Sequence, residues 1–101
     1  MSPDILPVAP PDEALLDLEA LCRCAPVSRE WVLERVRCGL IALAGGDGAS
    51  AWRFDAATLR RVRCMVHLER HFDAVPELAA LVADLHDEID ALRRRLARAG
   101  L

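Results

Sequence analysis

Apolar positions recur at helical spacing along most of the chain, and the breaks between these stretches fall at residues that cap or end helices. Leu15, Leu18, Leu21 and Cys22 form one stripe, which predicts a helix over Leu15–Cys24 with Asp17 as N-cap or first-turn acid. Ala25-Pro26 ends it, because the residue before proline is pushed out of the α region. Ser28 is a good N-cap for a second helix carrying Trp31, Val32, Arg35 and Val36, which closes at Cys38-Gly39 with the glycine suited to a left-handed position. Two helices joined by so short a turn make a helix-turn-helix.

The apolar run Leu40–Leu43, the loop at Gly45, Gly46, Asp47 and Gly48, and the alternation Ala51-Trp52-Arg53-Phe54 predict a β-hairpin, placed as a wing. Asp55 then caps a helix over Ala56–Phe72, with Leu59, Val62, Val66 and Phe72 on its buried side and Cys64, Met65 and Leu68 nearby. Asp73–Pro76 is a break, and Pro76 suits the first turn of the last and longest helix, Pro76–Ala99, about 36 Å long. In that helix Val75, Val82, Ile89 and Leu96 sit seven apart, and Leu78, Leu85, Leu92 and Ala99 follow the same period three residues on. This is an a/d heptad, and it predicts a dimer seam of Leu78, Val82, Leu85, Ile89, Leu92 and Leu96. Its acids, Glu77, Asp84, Asp87, Glu88 and Asp90, precede its bases, Arg93, Arg94, Arg95 and Arg98, as the helix dipole favours. Both parallel and antiparallel pairing are compatible with that order.

Composition agrees with a mainly α, globular chain of 101 residues with 53% apolar and 29% charged positions. The net charge of −3 withholds the basic surplus that phosphate binding normally needs and suits a basic protein surface better. The N-terminal stretch holds Pro3, Pro7, Pro10 and Pro11, no base and no helical period, so residues 1–13 are expected to be a flexible leader rather than a secretory signal. Residues 14–73 are expected to form the winged helix-turn-helix region and 74–101 the dimerisation and interaction helix. Cys22, Cys24, Cys38 and Cys64 show no C-x-x-C spacing, and no apolar run is long enough to span a bilayer, which points to the cytoplasm and reduced thiols.

Candidate chemistry is sparse. His67 and His71 share a helix face, but Leu68 stands where a zinc-protease helix carries Glu. Cys22, Cys38 and Cys64 read as small buried hydrophobes. The glycine loop lacks the Lys-Ser/Thr of a phosphate-binding loop, and no nucleophile, base and orienting acid assemble from motif spacing. No enzyme activity, cofactor or metal is expected. Trp31, Trp52 and Phe54 are expected in the core. The second helix offers Arg29, Arg35 and Arg37 to DNA, but Glu30 and Glu34 lie among them, and only Arg53 on the hairpin is basic.

Three stretches together resemble a known group. Val27–Ile41 (VSREWVLERVRCGLI) is similar to the recognition-helix segment of MerR-type winged helix proteins. Trp52–Phe72 (WRFDAATLRRVRCMVHLERHF) resembles that group's aromatic-x-Phe-Asp followed by a helix. Leu81–Leu96 (LVADLHDEIDALRRRL) resembles the C-terminal end of one branch, the chaperone modulators of the CbpM type. The resemblance covers roughly Leu15 to Leu96; the proline-rich leader stands where the group's short N-terminal strand is expected. It implies a modulator that binds the J-domain of a DnaJ/CbpA-like co-chaperone and inhibits it. Since J-domains carry a basic helix, the implied contacts are the carboxylates of Asp84, Asp87, Glu88 and Asp90. Of these, Asp84 and Asp87 fall at c and f, away from the a/d seam. The alternative is a MerR-like dimeric transcriptional regulator that binds DNA; a metal or thiol sensor ranks third.

Overall fold

The computed structural model describes residues 15–46 and 51–100, so the expected leader and the tip of the expected wing loop lie outside the described residues. Four helices follow in order: α1 (Leu18–Cys24), α2 (Arg29–Arg37), α3 (Ala56–Phe72) and α4 (Pro76–Arg98). The first three begin at side chains that accept an otherwise unpaired backbone N–H. Asp17 accepts from Ala20 at 2.8 Å, Ser28 from Trp31 at 3.1 Å and Asp55 from Thr58 at 2.8 Å. α4 has no such cap and starts on Pro76, which has no N–H to satisfy. α1 begins three residues later than its apolar stripe suggested. Leu16 is extended and exchanges two backbone hydrogen bonds with Phe54, each 2.8 Å.

The expected β-hairpin wing does not form, and no strand occurs among the described residues. The reason lies at the end of α2. Gly39 adopts φ 78° and its N–H bonds to the Val36 carbonyl, while Leu40 N–H reaches back to the Arg35 carbonyl at 2.8 Å. The apolar run is therefore spent unwinding the helix and delivering Ile41, 2% exposed, to the core. Pairing with the return segment is reduced to one bridge, Gly45 with Arg53. Gly46, at φ 104°, lies so close to the Ala51 carbonyl that a Cβ there would collide with it.

Phe54, Leu21, Leu59, Met65, Val32 and Val62 are the largest fully buried side chains. α4 closes over α3 through Ala79, Ala80 and Ala83. Trp52 is half-buried and meets Phe54 edge-on, with centroids 6.3 Å apart. Two core expectations are corrected. Phe72, in the last turn of α3, is 68% exposed, because the chain leaves the helix at Asp73 and only the His67 ring lies edge-on against it. Cys38, expected to be buried, is exposed beyond the last turn of α2.

One polar cluster ties α2 to α3. Arg35 is buried, and its Nη2 donates to Glu69 Oε1 at 2.7 Å. The Trp31 indole N–H donates to the same oxygen at 3.1 Å, and the Arg35 guanidinium lies over the Trp31 ring at 4.2 Å from its centroid. Arg35 Nε and Glu69 Oε2 have no partner among the described residues, so the pair carries a desolvation cost, which its partnership and the exposed Glu34 carboxylate, 3.3 Å from Arg35 Nη1, offset. Glu69→Ala is expected to lower stability by about 3 kcal/mol in urea unfolding, because it removes the buried carboxylate and leaves the buried guanidinium only Glu34, which is largely in water; a loss under about 1 kcal/mol would contradict this account. Asp73 caps α3 at φ 53°, a left-handed conformation that costs a residue with a Cβ. Asp73→Gly should raise stability by about 0.5–1 kcal/mol in the same assay.

Candidate protein-interaction surface

The two faces of α4 have different fates. Ala79, Ala80 and Ala83 meet α3, and on the far side Leu78, Leu81, Leu85, Ile89, Leu92 and Leu96 are each between 45% and 54% exposed. Of the predicted seam, only Val82 is drawn half into the domain. Leu81 joins the stripe although the heptad places it at g; its spacing of three from Leu78 and four from Leu85 was the available signal. Val75 is also exposed, at the start of the helix. A row of large apolar side chains left half in water along one helix is the mark of an interaction face.

The carboxylates fall on the other side. Asp87 and Asp90 continue the register of Ala80 and Ala83, seven residues on, and so point along the face that meets α3. With His86 they form the α4 wall of an open groove of about 390 Å³, whose α3 wall holds Arg60, Arg61, Arg63, Cys64 and His67. Asp84 is ion-paired with Arg61 and remains exposed. Glu88 is exposed at g, next to the leucine stripe and apart from the other acids. Three of the four predicted contact acids thus share a face, and that face already has basic neighbours. Sequence reasoning missed Arg60, Arg61 and Arg63; their proximity to the acids follows from the antiparallel fold-back of α4, which no local pattern reveals.

Two of the four candidate DNA-contacting arginines, Arg35 and Arg53, are engaged within the chain. Arg35 is buried against Glu69. Arg63 donates through Nε and Nη2 to the Cys24 carbonyl at 3.1 and 2.8 Å, and Arg70 donates to the Pro26 carbonyl. These bonds satisfy acceptors at the end of α1 and in the helix-turn-helix turn. Arg53 donates to the Trp52 carbonyl at 2.8 Å. Arg29 and Arg37 remain on the exposed surface of α2.

The rings of His67 and His71 lie 4.6 Å apart at a 41° tilt, and His67 meets Phe72 edge-on at 5.9 Å. Among the described residues no three His, Cys, Asp or Glu side chains converge as metal ligands. Burial pushes the Cys64 thiol up; the nearby Asp87 charge adds to the effect and Arg61 opposes it. Cys22 is pushed up in the same way, by burial first, with Arg29 opposing and Glu30 and Glu19 adding to it. At both sulfurs burial works against the thiolate, the reactive form. No helix among the described residues is long and apolar enough to cross a membrane.

Comparison with known proteins is consistent with this architecture. The family described as MerR HTH family regulatory protein matches residues 16–99. The chain is 36% identical over 90 residues to the chaperone modulatory protein CbpM of Pseudomonas entomophila (strain L48), an alignment covering 82% of this chain and 88% of that relative. No solved structure gives a significant match. With the helix-turn-helix, the long terminal helix and a relative this similar along nearly its whole length, the chain belongs to the chaperone modulatory protein CbpM family, within the MerR helix-turn-helix group.

Proposed function

We propose that the chain is a chaperone modulator that binds the J-domain of a DnaJ/CbpA-like co-chaperone and inhibits it by occupying its surface, with no chemistry of its own. The observation that carries this reading is the set of exposed acids on α4: Asp87 and Asp90 line the α3–α4 groove, and Asp84 stands beside it, held by Arg61. Carboxylates in register on one helix face are complementary to a basic helix, and charge complementarity speeds and orients such encounters. The relative's description as a chaperone modulatory protein supports the same reading. Glu88 stands apart from this set and is assigned a lesser part. The leucine stripe is read as a homodimer seam, so each copy keeps its acidic face free while the apolar faces cover each other. Both roles belong to the cytoplasm.

The alternative, a dimeric DNA-binding regulator of MerR type, is the weaker reading because the helix that would enter a groove has lost Arg35 to the core. Phosphate contacts supply much of the affinity for DNA, and the bases of α3 that flank the helix-turn-helix are bound to its own carbonyls.

Calorimetric titration of the full chain with the J-domain of its own co-chaperone, at moderate salt, is expected to give saturable micromolar or tighter binding. Asp87→Lys with Asp90→Lys should weaken it by about tenfold or more while leaving the oligomeric state unchanged. Absence of wild-type binding, together with a salt-sensitive gel shift, would transfer the assignment to the DNA-binding alternative. Sedimentation should show a dimer, and Leu85→Asp with Ile89→Asp should convert it to monomer or unfold it; a variant that stays dimeric would move the seam elsewhere.

A further inference from the structure

Arg61 makes contacts in two directions. Its Nε–H donates to the Leu40 carbonyl at 2.8 Å, in the segment that leaves α2, and its Nη1 holds Asp84 on α4. It also lies between two grooves that share Asp87: one runs along α4 with Arg60, His86 and Asp90, and the other passes Gly39, Leu40 and Thr58. The guanidinium side chain is 18% exposed, whereas the Asp84 carboxylate is 61% exposed. The acid can therefore be reached from solvent while the base that holds it is covered.

We propose that Arg61 is an internal competitor for the acidic face of α4: in the free protein it occupies Asp84, and a basic partner helix takes Asp84 from it on docking. The exchange also loosens the segment at Leu40. This rests on the reading of the acidic face as the J-domain contact. The energetics permit the exchange. An ion pair with one partner largely in water is worth little, so a docking helix that offers several cations displaces it at modest cost. The hold is nonetheless a toll on binding of up to about fivefold. Leu40 feels the exchange because a single guanidinium makes both bonds in a fixed fork, so movement toward or away from α4 changes its grip on the carbonyl. Two amides report on that segment. Leu40 N–H is bonded to the Arg35 carbonyl and Ala44 N–H to the Arg53 carbonyl, each at 2.8 Å.

The test combines affinity with hydrogen exchange. Arg61→Ala, checked for native helicity and melting, is expected to bind the J-domain about two- to fivefold more tightly than wild type. Unchanged or weaker binding by the folded variant overturns the proposal. In wild type, J-domain binding should speed exchange at the Leu40 and Ala44 amides; slowed or unaltered exchange there also overturns it. Asp84→Asn, studied without any partner, separates this inference from the function it rests on. If wild type fails to bind the J-domain, the functional reading fails. The coupling still stands if Asp84→Asn alone speeds exchange at Leu40, and falls if it does not. Should Arg61→Ala not fold, Arg61→Lys, which keeps the charge but loses the fork, is expected to uncouple Leu40 exchange from J-domain binding; exchange that still follows binding would overturn the proposal.

Discussion

Ala79, Ala80 and Ala83 allow α4 to lie close against α3, and that close contact fixes what the rest of the surface can be. Alanines bring two helix backbones together but bury little apolar area each, at roughly 0.8 kcal/mol per CH₂. The helix is thus anchored by small side chains while its large ones, Leu78, Leu81, Leu85, Ile89, Leu92 and Leu96, stay on the opposite face. A bulkier residue at Ala80 or Ala83 would push α4 outward and separate Asp84 from Arg61. The same small-residue contact therefore exposes the leucines and positions the acids against their arginine neighbours.

The arginines are the second organising element. α1 is only seven residues long, too short to persist without tertiary contacts. Its C-cap, Ala25, is extended, and the carbonyls of Cys24 and Pro26 are satisfied from α3 by Arg63 and Arg70. Lysine, with one point charge at the end of its stem, could not direct two donors of fixed geometry at the Cys24 carbonyl, nor link Leu40 to Asp84. A helix-turn-helix built in this way keeps its shape by directing cations at its own carbonyls. The Arg35–Glu69 pair under Trp31 does the same for α2, converting a base of the recognition helix into part of the core.

This explains which features were legible in the sequence. The caps at Asp17, Ser28 and Asp55, the left-handed Gly39 and the entry proline at Pro76 are local, and each sits where its residue type predicts. The leucine stripe was legible because helical periodicity is also local. The wing was misread because Leu40-Ile41 looks like the start of a strand, yet Leu40 completes the end of α2 and Ile41 belongs to the core. Phe72 was misread because periodicity runs to the end of α3 whereas burial stops where α4 departs. Arg35 and Asp84 have partners 34 and 23 residues away, and only the fold-back of the chain brings them into contact.

Acids held beside arginines also bear on selectivity. A cluster of bare carboxylates would attract any polycation, and its affinity would follow charge alone. Here Arg61 already holds Asp84, and Arg60 and Arg61 line the groove together with Asp87 and Asp90, so on the proposed docking a partner's cations would meet competition. The competition lowers the affinity of every basic ligand by a similar factor, so a single diffuse cation gains little. A rigid helix with several cations in register recovers the loss through simultaneous contacts, each reinforcing the displacement of the next. On the proposed docking, discrimination would come from the spacing of the partner's charges and not from their number, and an acidic face of modest strength would select one basic helix among many.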